Sequence, residues 1–301
     1  MKPYLLVDFG STDTKLTCVD LDNNYIIGTS KSPTTVETNV LDGYDRAYEW
    51  LLKDHPEIKE ITGISACSSA AGGLKMAAIG LVEELTVEAA KRACLGAGAI
   101  VKRVYSHHLT KREVADLLAA DIDIILLAGG TDGGNQECII HNAKKLRDGN
   151  INVPIIVAGN KDAVDEIDDI FDDTTVEYYI VDNVMPKLKK LNVEDAKKRI
   201  RKIFIEKIIE AKGIKKAEEK IGEIIMPTPE AVLYAAELLS NGYEDEEGYG
   251  ELMVIDIGGA TTDVHTVGEG FPKRTEVLLK GLQEPFAKRT VEGYLGMRYS
   301  A

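Results

Sequence analysis

Two short segments carry residue types suited to gripping phosphate. Asp8-Phe9-Gly10-Ser11-Thr12 follows an apolar run at residues 4–7, and Asp256-Ile257-Gly258-Gly259-Ala260-Thr261-Thr262-Asp263 follows another at 252–255. In each, a hydrophobic strand delivers an aspartate and small residues then turn the chain. Backbone N–H groups and hydroxyls are left facing outward. Glycine allows unusual backbone angles and close approach to a ligand, and concave arrays of N–H donors bind anions. Gly10, Ser11 and Thr12 in the first segment, and Gly258, Gly259, Thr261 and Thr262 in the second, are the expected phosphate contacts, with Lys15 supplying charge. Asp8, Asp256 and Asp263 stand where carboxylates would hold the waters of a magnesium ion, which keeps much of its hydration shell. One strand followed by D-x-G carries little weight. Two in order, each between a buried strand and a β-like stretch, carry much more.

The elements that must position these loops fall into four stretches. Residues 1–73 read as strand, turn, strand, strand, helix (44–52) and strand (61–67), the β-β-β-α-β order of an RNase H-like half-domain. Residues 74–190 alternate five apolar strands with four helices. Such strands are buried on both faces and predict a parallel, doubly wound α/β sheet, inserted as its own domain. Residues 191–225 hold a charged amphipathic helix over 193–221, capped by Asn192. Its apolar face is Ile200, Ile203, Phe204, Ile208 and Ala211, and its basic face is solvated. Residues 226–301 contain a helix at 230–240, an acidic loop at 244–247 and the strand leading into the second phosphate segment.

At 301 residues and 44% hydrophobic content the chain can fill two or three cores. A net charge of −14 argues against nucleic acid or an anionic membrane as partner. Tyr4-Leu5-Leu6-Val7 is broken by Asp8, so no secretory signal is read, and no apolar run reaches membrane-spanning length. Cys18, Cys67, Cys94 and Cys138 lie far apart, without disulfide, zinc or iron–sulfur spacing, and read as buried thiols of a cytoplasmic protein.

Asp8 to Lys15 and Asp256 to His265 resemble the phosphate-1 and phosphate-2 motifs of the actin, Hsp70 and sugar-kinase ATPase superfamily. The stretch PTPEAVLYAAELLS sits where that superfamily has its connecting helix. More narrowly, ACSSAAGGLKMAAIGLVEELTVEAA, LLAGGTDGGN and VEGYLGMRYSA resemble the MutL (GlmL) accessory proteins of adenosylcobalamin-dependent glutamate mutase, along essentially the whole chain. The resemblance implies an actin-type ATPase half-domain with an inserted α/β domain, ATP and Mg as cofactors, and Asp8 or Asp256 as catalytic groups orienting the attacking water. It implies a reactivating factor or chaperone whose partners are adenosylcobalamin-dependent mutase subunits, with a homo-oligomer as one arrangement. The mismatch-repair protein of the same name uses a different ATP fold, whose glycine boxes are absent here. Relatives continue past GMRYSA, so the resemblance also implies that the adenosine half of the site lies beyond Ala301, and weak ATP binding by residues 1–301 is the expectation. The alternatives are a small-molecule kinase of the same superfamily, for which no general-base aspartate stands out, and a scaffold without ATPase activity.

A further glycine-rich segment, Gly129-Gly130-Thr131-Asp132-Gly133-Gly134-Asn135, follows an apolar strand and precedes a helix. That is where open α/β sheets place ligands, and equally where a tight turn needs small residues. Ser68-Ser69-Ala70-Ala71-Gly72-Gly73 reads as a domain junction. His107-His108 has no metal-ligand spacing, and His265 reads as a packing or hydrogen-bonding residue. The D-x-H-x-x-G signature of base-off cobalamin binding is absent.

Overall fold

The computed structural model describes residues 1–35, 39–69, 74–172, 174–211, 221, 224–272, 274, 276–277, 281–293 and 295–297. β1 (Pro3–Phe9), β2 (Asp13–Asp20) and β3 (Tyr25–Pro33) form an antiparallel meander. Alternation along β1 and β2 sends Leu5, Val7, Phe9, Leu16 and Cys18 inward. There they meet Tyr44, Ala47 and Leu51 of α1 (Val40–Asp54). α1 is longer than the pattern suggested. Asn39 caps it by accepting from Leu41 N, and Gly43 inside it is a packing requirement, since a Cβ there would lie 2.7 Å from Pro33 O. β4 (Gly63–Ser68) then pairs parallel with β1.

The chain next builds a second sheet from β5 (Lys75–Gly80), β6 (Ile100–Ser106), β7 (Ile124–Leu127), β8 (Ile155–Val157) and β9 (Tyr178–Ile180). All its pairings are parallel and the order is β6-β5-β7-β8-β9, a doubly wound α/β sheet. β7 and β8 are buried throughout, as strands covered on both faces must be. One face packs against α3 (Lys111–Ala119), α4 (Glu137–Asp148) and α5 (Val164–Asp172). The other packs against α2 (Glu88–Gly96), entered through a π-helical turn at Glu83–Val87, and α6 (Glu194–Ala211). α6 also packs against residues 224–227, which join the first sheet, and one buried cluster runs from Leu5 and Phe9 to Leu126 and Ile156.

α6 starts two residues after Asn192. Asn192 N is drawn to Val184 O, and Val193 O accepts the first helical bond from Lys197 N. Ile200, Ile203 and Phe204 are buried as expected, while the side chains of Ile208 and Ala211 and residues 212–220 fall outside the described set. The basic face is only partly solvated, because Arg201 turns to the buried Glu230 and Arg199 lies 4.3 Å over the Tyr179 ring.

β10 (Ile224–Pro227) then returns to pair parallel with β4, completing the order β10-β4-β1-β2-β3. Parallel neighbours need a crossover connection, and here residues 69–223 form it. α7 (Thr228–Asn241) begins two residues before the predicted start, because Pro229 is tolerated in a first turn. A small hairpin, β11 (Gly242–Tyr243) and β12 (Glu246–Glu247), occupies the acidic loop. β13 (Leu252–Ile257), β14 (Thr262–Val267) and β15 (Ala287–Glu292) form a second antiparallel meander. Among the described residues no helix is long and apolar enough to cross a membrane.

Candidate phosphate site

The two phosphate segments are the tips of two equivalent hairpins, β1–β2 and β13–β14. Gly10 N donates to Asp13 O at 3.1 Å, and Gly258 N donates to Thr261 O at 2.9 Å. Asp8 stands opposite Lys15 across the first ladder, as Asp256 stands opposite Asp263 across the second. The glycines are needed for the close turn: a Cβ would lie 2.6 Å from Asp13 O at Gly10 and 3.1 Å from Thr261 O at Gly258.

The hairpins meet tip to tip. A Cβ on Gly259 would collide with Thr12 Oγ1 and lie 3.7 Å from Ser11 Oγ. The Thr12 hydroxyl is buried and has no hydrogen-bond partner among the described residues. A cavity of about 40 Å³ next to Ser11 is lined in part by Ser68, Ser69, Ala260, Thr261 and Arg289. That volume suits a water or two.

Asp8 is held from three sides. Thr228 Oγ1, at the first position of α7, donates to its Oδ1 at 2.7 Å, Cys67 Sγ lies 3.6 Å from the same oxygen, and Lys15 Nζ is 3.6 Å from Oδ2. Burial, with Asp8 beside it, pushes the Cys67 thiol up to about 12, so it stays protonated. Asp256 is different. Burial first, then Asp263 and Asp8, raise its carboxyl above the usual range against the pull of Lys15 and Arg289.

Both Asp263 oxygens are engaged within the chain. Arg289 Nε and Nη2 reach Oδ1 at 2.6 and 2.5 Å, and Thr261 Oγ1 donates to Oδ2 at 3.0 Å. The Thr262 hydroxyl donates to Leu295 O, and Met297 N donates to Gly258 O, so residues 295–297 brace the second tip. The site thus gathers Asp8, Gly10, Ser11, Thr12, Lys15, Asp256, Gly258, Gly259, Thr261, Thr262 and Asp263 about one seam. Thr228 and Arg289 escaped the sequence reading, since each works across a long chain separation. A Thr-Pro-Glu helix start after a strand was the only hint of the first. No group of three metal-capable side chains is assembled among the described residues.

His265 is fully buried, and neither ring nitrogen has a hydrogen-bond partner among the described residues. Burial, and then Arg289, lower its pKa, so it is a neutral packing residue and the hydrogen-bonding role falls away. The His108 and His141 rings pack at a tilt of 32° with centroids 4.5 Å apart. Ser69 N donates to Phe9 O, while residues 70–73 of that junction lie outside the described set.

The 129–135 segment closes over the carboxyl ends of β7, β8 and β9. Gly130 and Gly133 have φ of 71° and 72°. Asp132 accepts from Lys161 N and Asn183 Nδ2, Gly133 N donates to Asp162, and Asn160 Nδ2 reaches Gly134 O and Asn135 O. Gly129 packs over Ile139 of α4, and Thr131 O accepts from Gly134 N. A cavity of about 410 Å³ adjoins this latch, lined in part by Asp132, Lys161, Asp182, Asn183, Asn192 and Asp195.

The model of the MutL protein family matches residues 4–301. Protein MutL of Clostridium tetanomorphum is 58% identical over 303 residues, covering 100% of this chain. The chain spans 65% of the length of that relative. With a match over nearly its whole length, the chain belongs to the MutL protein family.

Proposed function

We propose that the chain is the phosphate-gripping and effector part of an ATP-dependent accessory protein, a reactivating factor or chaperone, for an adenosylcobalamin-dependent mutase such as glutamate mutase or a related aminomutase. The observation carrying it is the meeting of two equivalent hairpin tips, with Asp8 and Asp256 at the same register position, beneath a buried unpartnered Thr12 hydroxyl. An orphaned donor between glycine turns fits an anionic oxygen. Membership of the MutL family supports the choice of partner.

In this reading Gly10, Ser11, Thr12 and Lys15 hold one side of the phosphate chain, and Gly258, Gly259 and Thr261 the other. Thr262 steadies the tip through Leu295 O. Asp8, aimed by Thr228, and Asp256 are the carboxylates that face the seam and would hold magnesium through its waters. Bound there, the ion would neutralise charge on the transferred phosphoryl group. Either aspartate then orients the attacking water, and parting or closing of the tips moves the layers packed on them.

The test is a pull-down of cobalamin mutase subunits by the protein, with and without ATP. ATP-dependent capture that Asp8→Ala and Asp256→Ala abolish supports the reading. Capture in neither state removes it, and ATP-independent capture leaves a scaffold.

A further inference from the structure

The turn between α2 and β6 touches both halves of the phosphate site. On one side, Arg289 on β15 binds Asp263 through Nε and Nη2 and sends Nη1 to Ala99 O at 2.8 Å and Leu95 O at 3.2 Å. Those carbonyls belong to the end of α2, where Leu95 O also accepts from Gly98 N at 3.1 Å, and to the approach to β6; a helix C-terminus favours a cation. On the other side, Gly98, with φ of 81°, packs so closely that a Cβ would lie 2.8 Å from Pro227 Cβ. Pro227 precedes Thr228, whose hydroxyl holds Asp8.

Residues 95–99 are therefore tied through Arg289 to the second tip and through Pro227 to the first. Arg289 is 4% exposed, and burial lowers its pKa against the opposing pull of Asp263. A guanidinium so buried cannot lose its carboxylate without finding another partner. If the tips part, β14 and Asp263 shift relative to Asp8, and either Arg289 drags the 95–99 turn along or the turn breaks from it. α2 and β6 belong to the second layer, so the movement is delivered there.

We propose that Arg289 is a positioning residue that couples the separation of the two phosphate tips to the α2–β6 turn, so that the second layer reads the state of the site. This rests on the phosphate-site reading above. The test is hydrogen exchange over residues 92–101 of the full chain, with and without saturating Mg·ATP, beside calorimetry of ATP binding. The wild type should show a change of about fivefold or more in exchange at 95–100 on adding ATP, within the usual range of site coupling. Arg289→Lys keeps a cation for Asp263 but lacks the fork that reaches both carbonyls, and should lose that response even when saturated. Should Arg289→Lys fail to fold, Pro227→Gly removes the Cβ packed against Gly98 and should reduce the same response. ATP binding with an undiminished response in these variants overturns the coupling alone. Absence of any ATP binding by the wild type overturns the phosphate-site reading, and the coupling with it.

Discussion

Gly259 of the second hairpin lies against Thr12 of the first so closely that no side chain fits between them. Gly259→Ala should therefore destabilise the chain by about 1–3 kcal/mol, the usual range for forced overpacking. Thr12→Ala removes the struck hydroxyl, and the double variant should recover part of the loss. Urea unfolding of the four proteins in the cycle measures this. Strictly additive effects would mean that the tips do not touch.

Thr228 aims Asp8 from the start of α7. A hydrogen bond to a carboxylate contributes about 1.5–3 kcal/mol. Thr228→Val should weaken Mg·ATP binding by about tenfold or more, the loss such an energy implies, while Thr228→Ser stays near the wild type. Calorimetry decides it; equal affinities for Val and Ser would show that the hydroxyl does not matter.

Glu230 is 1% exposed and paired with Arg201 of α6, whose Nε donates to Oε2 at 2.8 Å. Arg201→Met leaves this carboxylate the Tyr234 hydroxyl at 3.3 Å but no cation, and should cost about 3–5 kcal/mol, whereas Arg201→Met with Glu230→Leu should cost much less. Denaturant midpoints would show the difference. A single variant no worse than the double would place Glu230 in contact with water.

His265 gives a pH signature. Its folded pKa is below the ordinary 6.5, so the folded state keeps it neutral while the unfolded chain takes up a proton below that value. Its contribution is thus complete above pH 6.5 and lost as pH falls through the window beneath it. The slope approaches about 1.4 kcal/mol per pH unit. His265→Leu should flatten stability below about pH 6.5 relative to the wild type. Taking the difference between the two proteins cancels Asp256, whose raised carboxyl acts in the opposite direction. Parallel curves would show that the imidazole gains a partner on acidification.

The hairpin tips were legible because their cause is local: an apolar strand, an aspartate and residues small enough to turn. The parallel second sheet was legible for a similar reason, since continuous apolar runs at regular spacing fit little else. What escaped depends on distance in the chain. Thr228 finds Asp8 and Arg289 finds Leu95 only after the layers have assembled. The pattern starts the helix at residue 44 and leaves Gly43 outside it, because the reason for that glycine, the Pro33 carbonyl, belongs to another strand. Asn192 looked like a cap because nothing local reveals that Val184 O claims its backbone N–H.

The pairing of β10 with β4 across residues 69–223 has a consequence for how the protein is made. Once β4 leaves the ribosome, the first sheet presents an unsatisfied edge until β10 follows. At ordinary synthesis rates that interval is on the order of ten to thirty seconds. During it the edge strand is a template for unwanted pairing. The nascent first sheet must therefore be shielded, or stay loose, until the second layer has formed and delivered its last strand.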